Sequence, residues 1–103
     1  MALYDDIYAA VSTIPRGNIA SYGDVAKACG MFRGARIVGW ALGNLPADTT
    51  VPWHRVVNKQ GVLSIVNPRI PKTLQKELLE AEGITIGEKE GFPIVLNPSW
   101  YIL

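Results

Sequence analysis

The 103-residue sequence predicts a mainly α domain with a small β wing, a single unit over residues 1–103. Apolar residues recur at helical spacing in four separate stretches, and two apolar, valine-containing pairs flank a short polar turn. Hydrophobic residues make up 49% of the chain, and that supports one modest core at this length but not two.

Leu3, Ile7, Val11 and Ile14 mark one face of a first helix. Pro15-Arg16-Gly17-Asn18 ends it, and Ile19-Ala20 is a brief extended link. Ser21-Tyr22-Gly23-Asp24 has the form of a capping box, with Ser21 capping a second helix and Asp24 reaching back. That helix runs to Cys29, and Gly30 stops it. A turn through Met31, Phe32 and Arg33 leads to a third helix from Gly34 to Asn44, buried through Ile37, Val38, Ala41 and Leu42. Two short helices joined by a tight turn are a helix-turn-helix candidate, although pattern alone fits a plain αα-hairpin more readily.

Leu45-Pro46 closes the third helix. Val56-Val57 and Val62-Leu63 flank Asn58-Lys59-Gln60-Gly61 and predict a small hairpin or wing. Pro68 and Pro71 stiffen the next loop, and Pro71 starts a last helix through Leu74, Leu78 and Leu79 to Gly83 as its cap. The tail, with Phe92, Pro93, Trp100 and Tyr101, is expected to pack back on the body.

No apolar run reaches the length of a membrane span and no basic-plus-apolar leader opens the chain, so a soluble, intracellular protein is expected. One cysteine, Cys29, and one histidine, His54, argue against a disulfide framework, a metal site or a cofactor. The net charge of +1 is not that of a protein that coats DNA in bulk.

The chemistry concentrates in Val51-Pro52-Trp53-His54-Arg55-Val56-Val57. A histidine and an arginine beside one residue would activate a cysteine there, because a thiolate forms readily near cationic or proton-accepting groups. That residue is Trp53, whose indole offers a flat apolar face and one N–H but no nucleophile.

Four further islands stand in order with this one: Ala20-Ser21-Tyr22-Gly23-Asp24, Ala35-Arg36-Ile37-Val38-Gly39, Gly43-Asn44-Leu45-Pro46 and Leu78-Leu79-Glu80-Ala81-Glu82-Gly83. Together they resemble the DNA-binding domain of O6-alkylguanine-DNA alkyltransferases over roughly residues 3–85. With tryptophan in place of the cysteine of P-C-H-R-V, the chain resembles the alkyltransferase-like branch, which binds alkylated guanine without repairing it.

The resemblance implies a winged helix-turn-helix DNA-binding domain whose recognition helix enters the minor groove. It also implies double-stranded DNA containing O6-alkylguanine as partner, nucleotide excision repair proteins downstream, and no alkyl transfer. A monomer is expected, nucleoid-associated in a bacterial cytoplasm or nuclear in a eukaryote.

Residue by residue, Arg36 matches the arginine finger that fills the stack, and Tyr22 the tyrosine that presses on a phosphate; Ser21, Ala35 and Gly39 complete the DNA-binding set. Trp53, Val56 and Ser64 would line the lesion pocket. Asn44, His54, Arg55 and Glu82 match the groups that brace the nucleophile, kept here as a buried hydrogen-bonded support. Ile65 and Val66 depart from relatives that carry basic residues beside the flipped base. Two rivals remain open at this point, an alkyltransferase acting through Cys29 and a helix-turn-helix regulator that reads sequence.

Overall fold

The structure, a computed structural model, describes residues 2–103. Helix α1 spans Ala2–Ser12, strand β1 Ala20–Ser21, α2 Tyr22–Ala28 and α3 Ala35–Gly43. A 3₁₀ turn at Trp53–Arg55 leads into β2 at Val56–Val57. Helix α4 (Leu74–Ala81) and strands β3 (Ile86–Lys89) and β4 (Phe92–Val95) complete the order.

The apolar spacing of α1 has its physical cause in burial. Ile7 and Val11 are fully enclosed with Val25, Val38, Ala41 and Leu42, where α1 packs on α2 and α3. Ile14 is buried as well but lies beyond the helix, which ends at Ser12 because Pro15 cannot continue it. Ser21 caps α2 by accepting from the Asp24 N–H at 3.1 Å. The reciprocal bond from Asp24 is not made among the described residues; Ser21 is also the last residue of β1.

Strand pairing departs from the sequence expectation. Val56-Val57 does not form a hairpin with Val62-Leu63; it pairs in parallel with Ala20-Ser21. All four residues of that pairing are buried, so burial selected a distant partner over the local one. The polar turn does form, closed by Asn58 N–H to Val62 O at 3.1 Å and by the Asn58 carboxamide on the N–H groups of Gln60 and Val62. Beyond it the chain joins β4 instead, through Leu63 N–H to Pro93 O and Val95 N–H to Gly61 O.

The hairpin lies in the tail. Strands β3 and β4 are antiparallel, and Glu90-Gly91 both take positive φ (54° and 83°), the two-residue turn that matches strand twist. The chain end is tied down by Ile19 N–H to Ser99 O and Tyr101 N–H to Ile19 O. Tyr101 packs on the core, whereas Phe92 and Trp100 keep much of their rings in solvent.

The small residues of α3 do different jobs. A Cβ on Gly43 would stand 2.8 Å from Val66 O, so Gly43 lets the loop after β2 lie directly against α3. Buried Asn67 fastens that loop by donating to Leu42 O (3.0 Å) and Leu45 O (2.9 Å) while accepting from Arg69 N–H. Among the described residues nothing lies within 4 Å of a Cβ position on Gly39, so their packing does not require a glycine there. Gly43→Ala should therefore destabilise by about 1–3 kcal/mol through overlap. Gly39→Ala should stabilise by about 0.5–1 kcal/mol, as for any helix-interior glycine. Urea unfolding of the two variants checks this; equal effects of one sign would refute the distinction.

Candidate nucleic-acid interface

Helix α4 organises the segment around Trp53. Gln75, Leu79 and Glu82 share one face of it at spacings of four and seven, a buried stripe with polar ends. Gln75 is 2% exposed and donates to His54 O (3.2 Å) and Val56 O (2.9 Å). At the other end Gly83, at φ 84°, closes the helix: Ile84 N–H reaches Leu79 O and Gly83 N–H reaches Glu80 O. That closure fixes Glu82 as the cap residue and aims its carboxylate at the Trp53 segment.

Glu82 gathers three partners. His54 Nε2 lies 2.6 Å from Oε2, Arg55 donates from Nε and Nη2 at 2.9–3.1 Å, and Gly17 N–H donates to Oε1 at 2.9 Å. Arg55 also donates to Ile14 O, and Arg16 to Ala81 O. Burial raises the Glu82 carboxyl, but Arg55, the Gly17 N–H and His54 outweigh it and hold its pKa at about 2. Burial pushes the His54 imidazole below its usual value; Glu82 opposes this, and Arg55 and Arg16 repel the charged form. His54 is therefore neutral at pH 7, with Nε2–H donating to the carboxylate.

A cleft of about 810 Å³ runs along α3. Tyr22, Ala35, Arg36 and Gly39 wall it on the helix side, and Ser64, Ile65 and Val66 close it from the loop after β2. Arg36 is exposed in the first turn of α3, where no acid offsets it. Tyr22 is half-buried, and burial raises the pKa of its hydroxyl, an effect the nearby Ser64 side chain only partly offsets. It also borders a second groove with Ser21, Lys27 and Lys59, because the β1–β2 pairing brings the Asn58–Gln60 turn beside the start of α2.

Three expected placements are corrected. Trp53 is only 4% exposed and lies in the core with Val56, whose exposure is zero; neither walls the cleft. The 3₁₀ turn after Pro52 directs the indole inward, edge-on to His54 at 6.0 Å between ring centres. Asn44 is apart from the Glu82 cluster: exposed, it donates to Trp40 O within its own helix and borders the cleft.

Trp40 and Tyr4 supply the aromatic wall instead, and sequence reasoning passed over both. Position four beyond Arg36 on one helix face was the available signal for Trp40. For Gln75 it was a polar residue in phase with Leu79 and Glu82.

Glu82, 4% exposed, links pH to stability. Its carboxyl titrates at about 2 in the fold against an ordinary 4.5, a preference worth about 3 kcal/mol. That stability is complete above pH 4.5 and is lost as the pH falls towards 2; lowered His54 adds a loss of the same sign starting below 6.5. Denaturant melts should begin to weaken below about pH 6.5 and weaken further below pH 4.5. Glu82→Gln should cost about 3–5 kcal/mol at pH 7, because the largely enclosed Arg55 guanidinium loses its counter-charge, and should flatten the profile below pH 4.5. A wild-type profile flat over that range would refute the assignment.

Residues 2–84 match the family described as the DNA binding domain of 6-O-methylguanine DNA methyltransferase. The chain is 45% identical over 82 residues to a DNA base-flipping protein of Vibrio parahaemolyticus, covering 80% of each chain. It is 42% identical over 83 residues to alkyltransferase-like protein 1 of Schizosaccharomyces pombe, covering 81% of this chain and 77% of that one. The crystal structure of the S. pombe protein in complex with damaged DNA containing O6-carboxymethylguanine superposes with a TM-score of 0.84 at 38% identity, covering 93% of this chain and 89% of that one. The helix-turn-helix architecture, the cleft along α3 and these likenesses agree: the chain belongs to the 6-O-methylguanine DNA methyltransferase DNA-binding-domain family, among its alkyltransferase-like proteins.

Proposed function

We propose that this protein is a non-catalytic sensor of O6-alkylated guanine in duplex DNA. It approaches through the minor groove, fills the vacated stack with Arg36 and takes the extruded base into the cleft along α3. The bound complex then flags the site for nucleotide excision repair. The observation that carries this reading is the convergence of Tyr22, Arg36, Gly39 and Ser64 on one open cleft, where nothing among the described residues packs on Gly39.

Each part has a physical reason. Ala35 and Gly39 leave the α3 backbone free to enter a narrow groove. Arg36 can stack its guanidinium on neighbouring bases while its donors reach the orphaned partner. Lys27 and Lys59 border the adjoining groove and suit phosphate contact, which positions the protein without reading sequence. Alkylation at O6 removes the N1 proton of guanine and weakens its pairing, so extrusion costs least at the lesion.

The absence of turnover follows from the nucleophile. Trp53 cannot accept an alkyl group, and the Glu82–His54 pair beside it holds that turn in place. Cys29 is half-buried at the end of α2 and outside the residues that wall the cleft; burial, then Asp6, raise its thiol and disfavour thiolate.

Two short duplexes that differ only in O6-methylation of one guanine test the reading, followed by tryptophan fluorescence. Markedly tighter binding to the methylated duplex with unchanged protein mass is expected. Arg36→Ala should cost about 1–3 kcal/mol of that binding at fixed salt. Equal affinity for the two duplexes would overturn the sensor; a gain of one alkyl mass would establish a transferase; affinity set by sequence alone would establish a regulator.

A further inference from the structure

Trp40 lies on α3 one turn beyond Arg36, 57% exposed, and faces the same cleft as Ile65 and Val66. Val66 is 80% exposed, yet its backbone is fixed. Its carbonyl lies against Gly43, and the next residue, Asn67, is bonded to the end of α3. An apolar side chain is thus held out on an anchored loop, opposite an indole on a helix. Among the described residues that wall the cleft, Arg36 is the one with a formal charge. The rim amide of Asn44 donates to Trp40 O.

The geometry points to Trp40, Ile65 and Val66 as a specificity surface that selects extended, uncharged O6 substituents, aryl or long alkyl, over methyl and over anionic carboxymethyl. This rests on the sensor reading above, in which Arg36 is committed to the base stack. A methyl group brings little apolar area to the indole and the Val66 side chain. A ring or longer chain covers both, and each methylene removed from water is worth roughly fourfold in affinity. An aromatic substituent adds offset or edge-on contact with the indole. A carboxylate on the same wall would give up its hydration without a cation to replace it.

The test uses the full chain and labelled duplexes of one sequence, read by fluorescence anisotropy. The target position carries guanine, O6-methylguanine, O6-benzylguanine or O6-carboxymethylguanine. Benzyl should bind about tenfold tighter than methyl, and carboxymethyl more weakly than methyl. Trp40→Ala removes an exposed ring and should bring benzyl down to the methyl level while methyl stays above guanine. Val66→Lys should strengthen carboxymethyl binding about tenfold relative to methyl. Carboxymethyl binding as well as benzyl, or a uniform loss for all lesions in Trp40→Ala, would overturn the specificity surface and leave the sensor standing. Equal binding of all the duplexes would overturn the sensor itself.

Discussion

The Glu82 carboxylate ties together parts of the chain that are far apart in sequence. It accepts from the turn after α1 at Gly17, from His54 and from Arg55, and Arg55 in turn holds Ile14 O. None of these groups could be enclosed alone, since a buried carboxylate or guanidinium without a partner is strongly destabilising. Together they are satisfied, and no enclosed side-chain nitrogen or oxygen among the described residues lacks a partner. The position of the Trp53 turn relative to α4 follows from this cluster and from Gln75 on the same helix face. The position of β2, and hence of the Asn58–Gln60 turn beside α2, follows in its turn.

The cleft depends on a different kind of contact. Gly43 and Asn67 bring the loop after β2 against the end of α3, so that Val66 faces the helix across a gap instead of filling it. The two supports are independent. One is a network of charge-assisted hydrogen bonds that weakens in acid. The other is a close backbone approach clamped by one neutral amide. A site held from both sides needs little rearrangement before it receives a ligand, and loses less binding energy to ordering its own walls.

Much of the architecture could be read from residue order. Helices α1 to α4 follow the apolar spacing, with ends set by Pro15, Gly30, Leu45-Pro46 and Gly83. Those signals are local, because capping and periodicity act within a few residues. Strand pairing was less legible. Val56-Val57 has β-branched character, but the choice of Ala20-Ser21 as partner depends on which residues share the core. The tail hairpin was missed because its turn is Glu90-Gly91; glutamate is an uncommon residue at positive φ.

By itself the sequence determined the four helices, though α4 starts at Leu74 and not at Pro71, the capping of α2 by Ser21, the family islands, and a tryptophan at position 53. These are decided by residue identity, or by bonds spanning three to five positions. Only the tertiary structure decided which tryptophan meets the cleft. Trp53 stands between Pro52 and His54 and Trp40 between Gly39 and Ala41, and neither setting fixes how exposed its ring will be. Packing does: the turn after Pro52 places one ring in the core at 4% exposure, while the helical phase of α3 leaves the other at 57% beside Val66. Burial is a property of the whole assembled chain, so the residue that faces a ligand emerges only when all the walls are in place.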